Sequence, residues 1–209
     1  LSPRRRLPRE RRNGRGRATP RRRRIGRSAR SRPRRALRHR PRPPRATGTR
    51  SGRRRLQGVR GRMECAAESD DKIAFVDYAH TPDALETVLK ALRPHAENRI
   101  IVVFGCGGDR DATKRPLMGQ IAKRYADKIY VTDDNPRSEN PELIRKAIMD
   151  ACPEAIEVGD REEAIQKSIA EMRSGDVLIV AGKGHETYQI VGDEVRDFDD
   201  AEVIRKYWS

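Results

Sequence analysis

Between residues 56 and 209, short apolar runs alternate with longer stretches in which apolar residues recur at helical spacing. A strand buried on both faces is continuously apolar, whereas an amphipathic helix repeats at about 3.6 residues. Alternation of the two predicts an α/β fold: a Rossmann-like, mostly parallel sheet with helices on both faces. Strands are expected over 73–77, 100–104, 128–132, 155–158 and 177–181. Thr81, Pro82 and Asp83 supply an N-cap, a first-turn proline and a first-turn acid, and Ala84, Leu85, Val88, Leu89 and Leu92 follow on one face. Asn140, Pro141 and Glu142 repeat that start ahead of Leu143, Ile144, Ala147 and Ile148, and a third helix is expected over 161–172. Runs at 189–191 and 194–196 flank Gly192 and Asp193, which predicts a C-terminal hairpin with its strands at a sheet edge. A short helix is expected to close the chain.

Charge divides the chain in two. The formal net charge is +16, yet residues 1–55 hold 25 arginines, no lysine and a single acid, Glu10, leaving 22 basic and 30 acidic residues for 56–209. The first segment has Leu1, Leu7, Ile25 and Leu37 as its large apolar residues, too few to offset the entropy of ordering. It is expected to be a disordered Arg/Pro-rich segment, and 56–209 one domain. Arginine without lysine points to codon bias. A GC-rich gene translated out of frame yields arginine, proline, glycine and alanine, so 1–55 reads as an out-of-frame product with the true frame starting near Leu56. The alternative is a nucleic-acid-binding protein, an arginine-rich arm gripping phosphates on a non-catalytic domain. The segment has no interleaved aromatics, which argues against sequence-selective binding. Cys65, Cys106 and Cys152 form no C-x-x-C pair, which fits a reduced, cytoplasmic setting. No apolar run reaches the length of a membrane-spanning helix, and the N-terminus lacks the apolar region of a secretory signal, so no membrane partner is expected.

Ligands of open α/β sheets bind beyond the carboxyl ends of the strands. The loops expected there carry the unusual residues: Asp77-Tyr78-Ala79-His80-Thr81-Pro82-Asp83, Gly105-Cys106-Gly107-Gly108-Asp109-Arg110-Asp111, Asp133-Asp134-Asn135-Pro136-Arg137 and Gly182-Lys183-Gly184-His185-Glu186. Each has a plain alternative. Gly105 to Gly108 can be turn residues, and Asp134 to Arg137 an Asx turn with a solvated arginine. Gly182-Lys183-Gly184 lacks the upstream glycine and the following Ser/Thr of a phosphate loop. His80 and His185 have no metal-ligand spacing and read singly as loop or cap histidines.

Together the loops carry more than any one alone. The run Val76 to Glu86, then Phe104 to Asp111, Lys114 to Gly119, Thr132 to Arg137, Ala181 to Glu186, Tyr188 to Ile190 and the upstream Gly61-Arg62-Met63-Glu64 resemble the C-terminal domain of the bacterial Mur ligases, in the tripeptide-synthetase branch. The resemblance spans 56–209. It implies an ATP- and Mg2+-dependent amide ligase of peptidoglycan synthesis that adds an amino acid to UDP-N-acetylmuramoyl-L-alanyl-D-glutamate. The C-terminal domain would bring the amine to an acyl phosphate made on a central domain. Members with Asp-Asn-Pro-Arg in the third loop add meso-diaminopimelate, and lysine-adding relatives lack the arginine. Diaminopimelate differs from lysine by a distal carboxylate, which accepts bidentately from a guanidinium fork. The resemblance therefore implies a diaminopimelate site of Arg110, Asp134, Asn135, Pro136, Arg137, Gly182 and Glu186. Arg137 would take the distal carboxylate, Arg110 a second contact, Asn135 amide hydrogen bonds, Glu186 an ammonium and Gly182 a backbone contact, while Asp134 and Pro136 shape the loop. Arg62, Asp77 and His80 would face ATP, unless Arg62 and Asp77 only pair with each other. Lys183 and His185 receive no role. The phosphate loop, Mg2+ ligands and UDP-sugar site of the family have no counterpart in this sequence, so the 209 residues alone are expected not to turn over ATP.

Overall fold

The structure is a computed structural model and describes residues 58–69 and 71–208. The Arg/Pro-rich segment, and the domain boundary at 56, lie outside the described residues. Among the described residues, eight strands and five α-helices follow in the order β1 (Glu64–Glu68), β2 (Ile73–Asp77), α1 (Pro82–Leu92), β3 (Ile100–Phe104), α2 (Lys114–Tyr125), β4 (Lys128–Val131), α3 (Pro141–Met149), β5 (Ile156–Glu157), α4 (Arg161–Ala170), β6 (Val177–Ala181), β7 (Tyr188–Val191), β8 (Glu194–Asp197) and α5 (Asp200–Tyr207), with a 3-10 turn over Arg93–His95 after α1.

Six strands form one sheet in the order β1-β2-β6-β3-β4-β5, parallel throughout except for β1, which pairs antiparallel with β2. The expected strands at 73–77, 100–104 and 177–181 are found with those bounds, because continuous apolar runs suit central strands buried on both faces. β4 ends one residue early, at Val131. β5 shrinks to two residues because it is an edge strand, pairing only Tyr130 with Ile156 and Val131 with Glu157. The pleat sends alternate side chains to two cores. Phe75, Val102, Phe104 and Ile179 meet Leu85 of α1, Met118 of α2 and Ile144 of α3 on one face. Val76, Ile101, Val103, Leu178 and Val180 meet Ile165 of α4 and Ile204 of α5 on the other. Helices therefore cover both faces.

The helix starts follow the cap chemistry. The Thr81 hydroxyl accepts from Ala84 N at 3.3 Å, Asn140 Oδ1 from Glu142 N at 2.9 Å and Asp160 Oδ1 from Glu163 N at 2.8 Å. α4 ends at Ala170 rather than at 172.

One expectation changes. β7 and β8 do form an antiparallel hairpin around Gly192 and Asp193, but as a separate two-stranded sheet and not on an edge of the main one. β1 and β5 occupy those edges, and β8 is exposed at every residue, so it offers no apolar face to the sheet. The hairpin attaches instead to the loop after β4. Arg137 N donates to Ile190 O at 3.1 Å, and Gly192 N donates to Arg137 O at 2.8 Å.

Candidate functional site

Strand register brings the four loops together. Asp77 lies opposite Ala181, Ala181 opposite Phe104, and Phe104 opposite Val131, so the chain leaves four neighbouring strands at one level. The loops then touch. A Cβ on Gly108 would lie 1.9 Å from Pro136 O, so only glycine allows the loop after β3 to approach the loop after β4 this closely. Gly182 has φ +117, and a Cβ there would lie 2.7 Å from Asp134 Oδ2. These glycines are close-approach residues as well as turn residues.

The loop from Asp134 to Arg137 is built into the protein, contrary to the solvated Asx-turn alternative. Asp134, Asn135 and Pro136 are buried. Asn135 Oδ1 accepts from Lys183 Nζ at 3.0 Å and from Ile190 N at 3.0 Å, while its Nδ2 donates to Glu186 Oε2 at 2.9 Å. Gln189 Nε2 donates to Asp134 O at 2.8 Å. Arg137 sits in the left-handed region at φ +53, a conformation that costs a non-glycine residue about 1–3 kcal/mol and persists only where its surroundings hold it. Here the hairpin grips its N–H and its carbonyl. Its half-buried guanidinium donates from Nη1 to Gly108 O at 2.8 Å and to Asn135 O at 3.3 Å, which ties two loops together. Its Nε and Nη2 have no protein acceptor among the described residues.

Arg110 is exposed, and its Nη1 donates to the Asp109 carbonyl at 2.9 Å. Asp109, at φ +54, is exposed too. Its carboxylate accepts from Ser138 Oγ at 2.8 Å and Ser138 N at 3.1 Å, and these bonds hold its pKa below the ordinary value. Glu139 takes a bidentate contact from Arg115 Nη2 at 2.8 and 2.9 Å and accepts from Asp109 N at 2.6 Å, which locks the same two loops on their outer side.

Glu186 is partly exposed at the rim, with Oε2 held by Asn135 and, at 3.3 Å, by Lys183 Nζ. Lys183 is fully buried. Desolvation pushes its pKa down, opposed by the charge of nearby Asp134. Beneath the site, buried Arg161 makes two 2.8 Å contacts with buried Asp200 and donates to Ala181 O at 3.1 Å and Asp133 O at 3.4 Å. That arginine ties the ends of β6 and β4 to α5. Sequence reasoning missed it, because its partner lies 39 residues away and neither residue stands in a motif.

The three residues expected to face a nucleotide lie beside this cluster. Asp77 does not pair with Arg62: its Oδ2 accepts from Met63 N at 2.8 Å and its Oδ1 from Ala79 N at 2.8 Å. Arg62 and His80 are exposed, and the ring of Tyr78 lies 4.6 Å from that of His80 and 5.4 Å from that of His185. Among the described residues no group of three or more His, Cys, Asp or Glu could hold a metal ion. No described helix is long and apolar enough to cross a membrane.

A family model described as Mur ligase, glutamate ligase domain, matches residues 61–184, more than half of the chain. The chain belongs to the Mur ligase family. A relative named UDP-N-acetylmuramoyl-L-alanyl-D-glutamate--2,6-diaminopimelate ligase, from Chelativorans sp. (strain BNC1), is 57% identical over 152 residues, which is 72% of this chain and 32% of the relative. A ligase of the same name from Bradyrhizobium diazoefficiens is 56% identical over 149 residues, covering 71% and 31%. The chain thus spans about a third of the length of the curated relatives it matches. A solved structure of a ligase with that name superposes at a TM-score of 0.67 with 43% identity, over 73% of this chain and 32% of that one. The bifunctional folylpolyglutamate synthase/dihydrofolate synthase of Yersinia pestis, solved with AMPPNP and Mn ion, shares the fold at 20% identity and a TM-score of 0.50, covering 62% and 30%. The expected fold and family are both met.

Proposed function

We propose that this Mur ligase chain is the amino-acid-recognising part of the ATP-dependent ligase that adds meso-diaminopimelate to UDP-N-acetylmuramoyl-L-alanyl-D-glutamate in cytoplasmic peptidoglycan synthesis. The observation that carries the reading is Arg137: its guanidinium is braced by Nη1 across two loops, leaving the Nε/Nη2 edge uncommitted among the described residues. That edge matches a carboxylate bidentately, and the distal carboxylate is what distinguishes diaminopimelate from lysine. Relatives at 57% and 56% identity carry the diaminopimelate name.

The remaining roles follow from placement. Exposed Arg110 takes a second carboxylate contact from the loop after β3. Glu186 receives an ammonium on Oε1, and Asn135 has one Nδ2 hydrogen left to offer. Gly182 contributes backbone, and Asp134 and Pro136 hold the loop. The chain's part in catalysis is to hold the amine in reacting geometry, because positioning alone lowers a bimolecular barrier substantially. In the family's reaction that amine attacks an activated D-glutamyl carboxylate. Exposed Arg62 suits the charge of nucleotide phosphates, and exposed His80 stands on the loop after β2, whose start Asp77 shapes through Ala79 N. The described residues offer no Mg2+ ligand set, so no step through the metal is assigned to them. We assign residues 56–209 to this domain and read 1–55 as an out-of-frame product; translating the gene in its other frames tests this, and the idea fails if neither yields a glycine-rich phosphate loop upstream.

The reading is tested by calorimetric titration of the chain with meso-diaminopimelate before and after Arg137→Ala. Losing a charge-assisted pair costs about 1.5–3 kcal/mol, on the order of a ten- to 150-fold weaker Kd. Equal affinity in the two proteins removes Arg137 from the site.

A further inference from the structure

Lys183 is the only buried lysine among the described residues. Its Nζ lies 3.0 Å from Asn135 Oδ1 and 3.3 Å from Glu186 Oε2, with the Tyr188 ring 5.6 Å away. Burying an ammonium is unfavourable, and an apolar side chain of similar volume often packs as well or better. The amine therefore has to be explained by what it touches, and it touches two residues of the proposed amino-acid site.

The contacts fix the orientation of both. Asn135 Oδ1 accepts two N–H bonds, from Lys183 and from Ile190 N, so the amide must turn its Nδ2 toward Glu186. Oε2 of Glu186 is then held by two donors, and Oε1 has no donor among the described residues. With an apolar side chain at 183, Asn135 keeps one acceptor bond and Glu186 loses its cationic neighbour, which frees the carboxylate to rotate. We infer that Lys183 is a positioning residue of the amino-acid site, orienting the Asn135 amide and the Glu186 carboxylate so that Glu186 Oε1 receives an ammonium group of the incoming amino acid. The inference rests on the diaminopimelate reading above. It concerns ammonium recognition, and so is separate from the carboxylate contact assigned to Arg137.

Two ligands distinguish positioning from a purely structural role. Meso-diaminopimelate and pimelate share the same dicarboxylate chain, but pimelate has no amino groups. Titration of the unsubstituted chain and of Lys183→Met with each is expected to show a diaminopimelate affinity about tenfold or more lower in the variant, with pimelate affinity unchanged within about twofold. Equal losses for both ligands, or no loss for either, overturn the inference. Should Lys183→Met not fold, the 15N-labelled unsubstituted chain gives the second measurement. Saturation with meso-diaminopimelate should shift the Lys183 Nζ resonance where pimelate does not, and an unmoved Lys183 Nζ refutes the role. No binding of diaminopimelate by the unsubstituted chain removes the proposed function and this inference with it, whereas intact binding with an unaffected Lys183→Met removes the inference alone.

Discussion

Replacing Arg161 with methionine should be the most damaging single change that leaves the recognition loops untouched in sequence. Both partners of the Arg161–Asp200 pair have side chains with 0% exposure, and two parallel 2.8 Å contacts join them. Methionine fills much of the space but strands the Asp200 carboxylate in the interior, and removing one member of a buried pair costs about 3–5 kcal/mol. Two carbonyl contacts, to Ala181 O and Asp133 O, go with it. Against a total stability of about 5–15 kcal/mol this is a large fraction. For a chain of this size it corresponds to a fall in Tm of roughly 6–20 °C. Urea unfolding followed by circular dichroism measures it, and the double variant Arg161→Met/Asp200→Leu provides the control. Because the cost is mainly that of the stranded charge, the double variant should recover most of the loss. A single-variant cost below about 1 kcal/mol, or a double variant as unstable as the single, would show that a stranded Asp200 charge is not what the substitution costs.

Other outcomes follow from the same structure. Gly182→Ala puts a Cβ 2.7 Å from Asp134 Oδ2 at φ +117, so it should lower stability by about 1–3 kcal/mol and weaken diaminopimelate binding, both measurable on one preparation. Burial acts to raise the Asp176 pKa, but bonds from the Arg99 side chain and from Arg173 N and Arg99 N outweigh it and hold the carboxyl below its ordinary 3.8. A depressed carboxyl contributes stability above its unfolded pKa and loses it as pH falls through the folded value, so Asp176→Asn should cost less at pH about 3 than at pH about 7 in urea titrations. Burial raises the Cys106 thiol to about 12 and the Cys152 thiol to about 11, whereas Cys65 is exposed. A thiol reagent at pH about 8 should therefore label Cys65 in the native chain, and all three cysteines only after denaturation. The 209 residues alone should release no phosphate from ATP, and precursor-dependent release would contradict that.

What could be read in the sequence was local. Thr81 and Asn140 announce their helices because a cap and the N–H it satisfies lie within three residues, and the central strands announce themselves as unbroken apolar runs. β1 gives no clear pattern because Glu64–Glu68 is a bulged edge strand with little apolar signal. α2 does not stand out as a helix in the sequence because it carries Pro116 and Gly119, and Thr113 makes no side-chain cap. In the site, the loop motifs were visible as types of residue, but not their mutual contacts. Lys183 has no readable role in the sequence because its partners, Asn135 of another loop and Glu186 at the rim, bring their side chains together only in the fold. The hairpin was recognised from Gly192 and Asp193, but its docking to Arg137 depends on backbone bonds that no pattern encodes.

On the proposed reading this domain chooses its amino acid by the distal carboxylate. Parallel calorimetric titrations of the unsubstituted chain with meso-diaminopimelate and with L-lysine measure that choice. One charge-assisted bidentate contact predicts at least about tenfold tighter binding of meso-diaminopimelate; lysine binding equally well or better would contradict it.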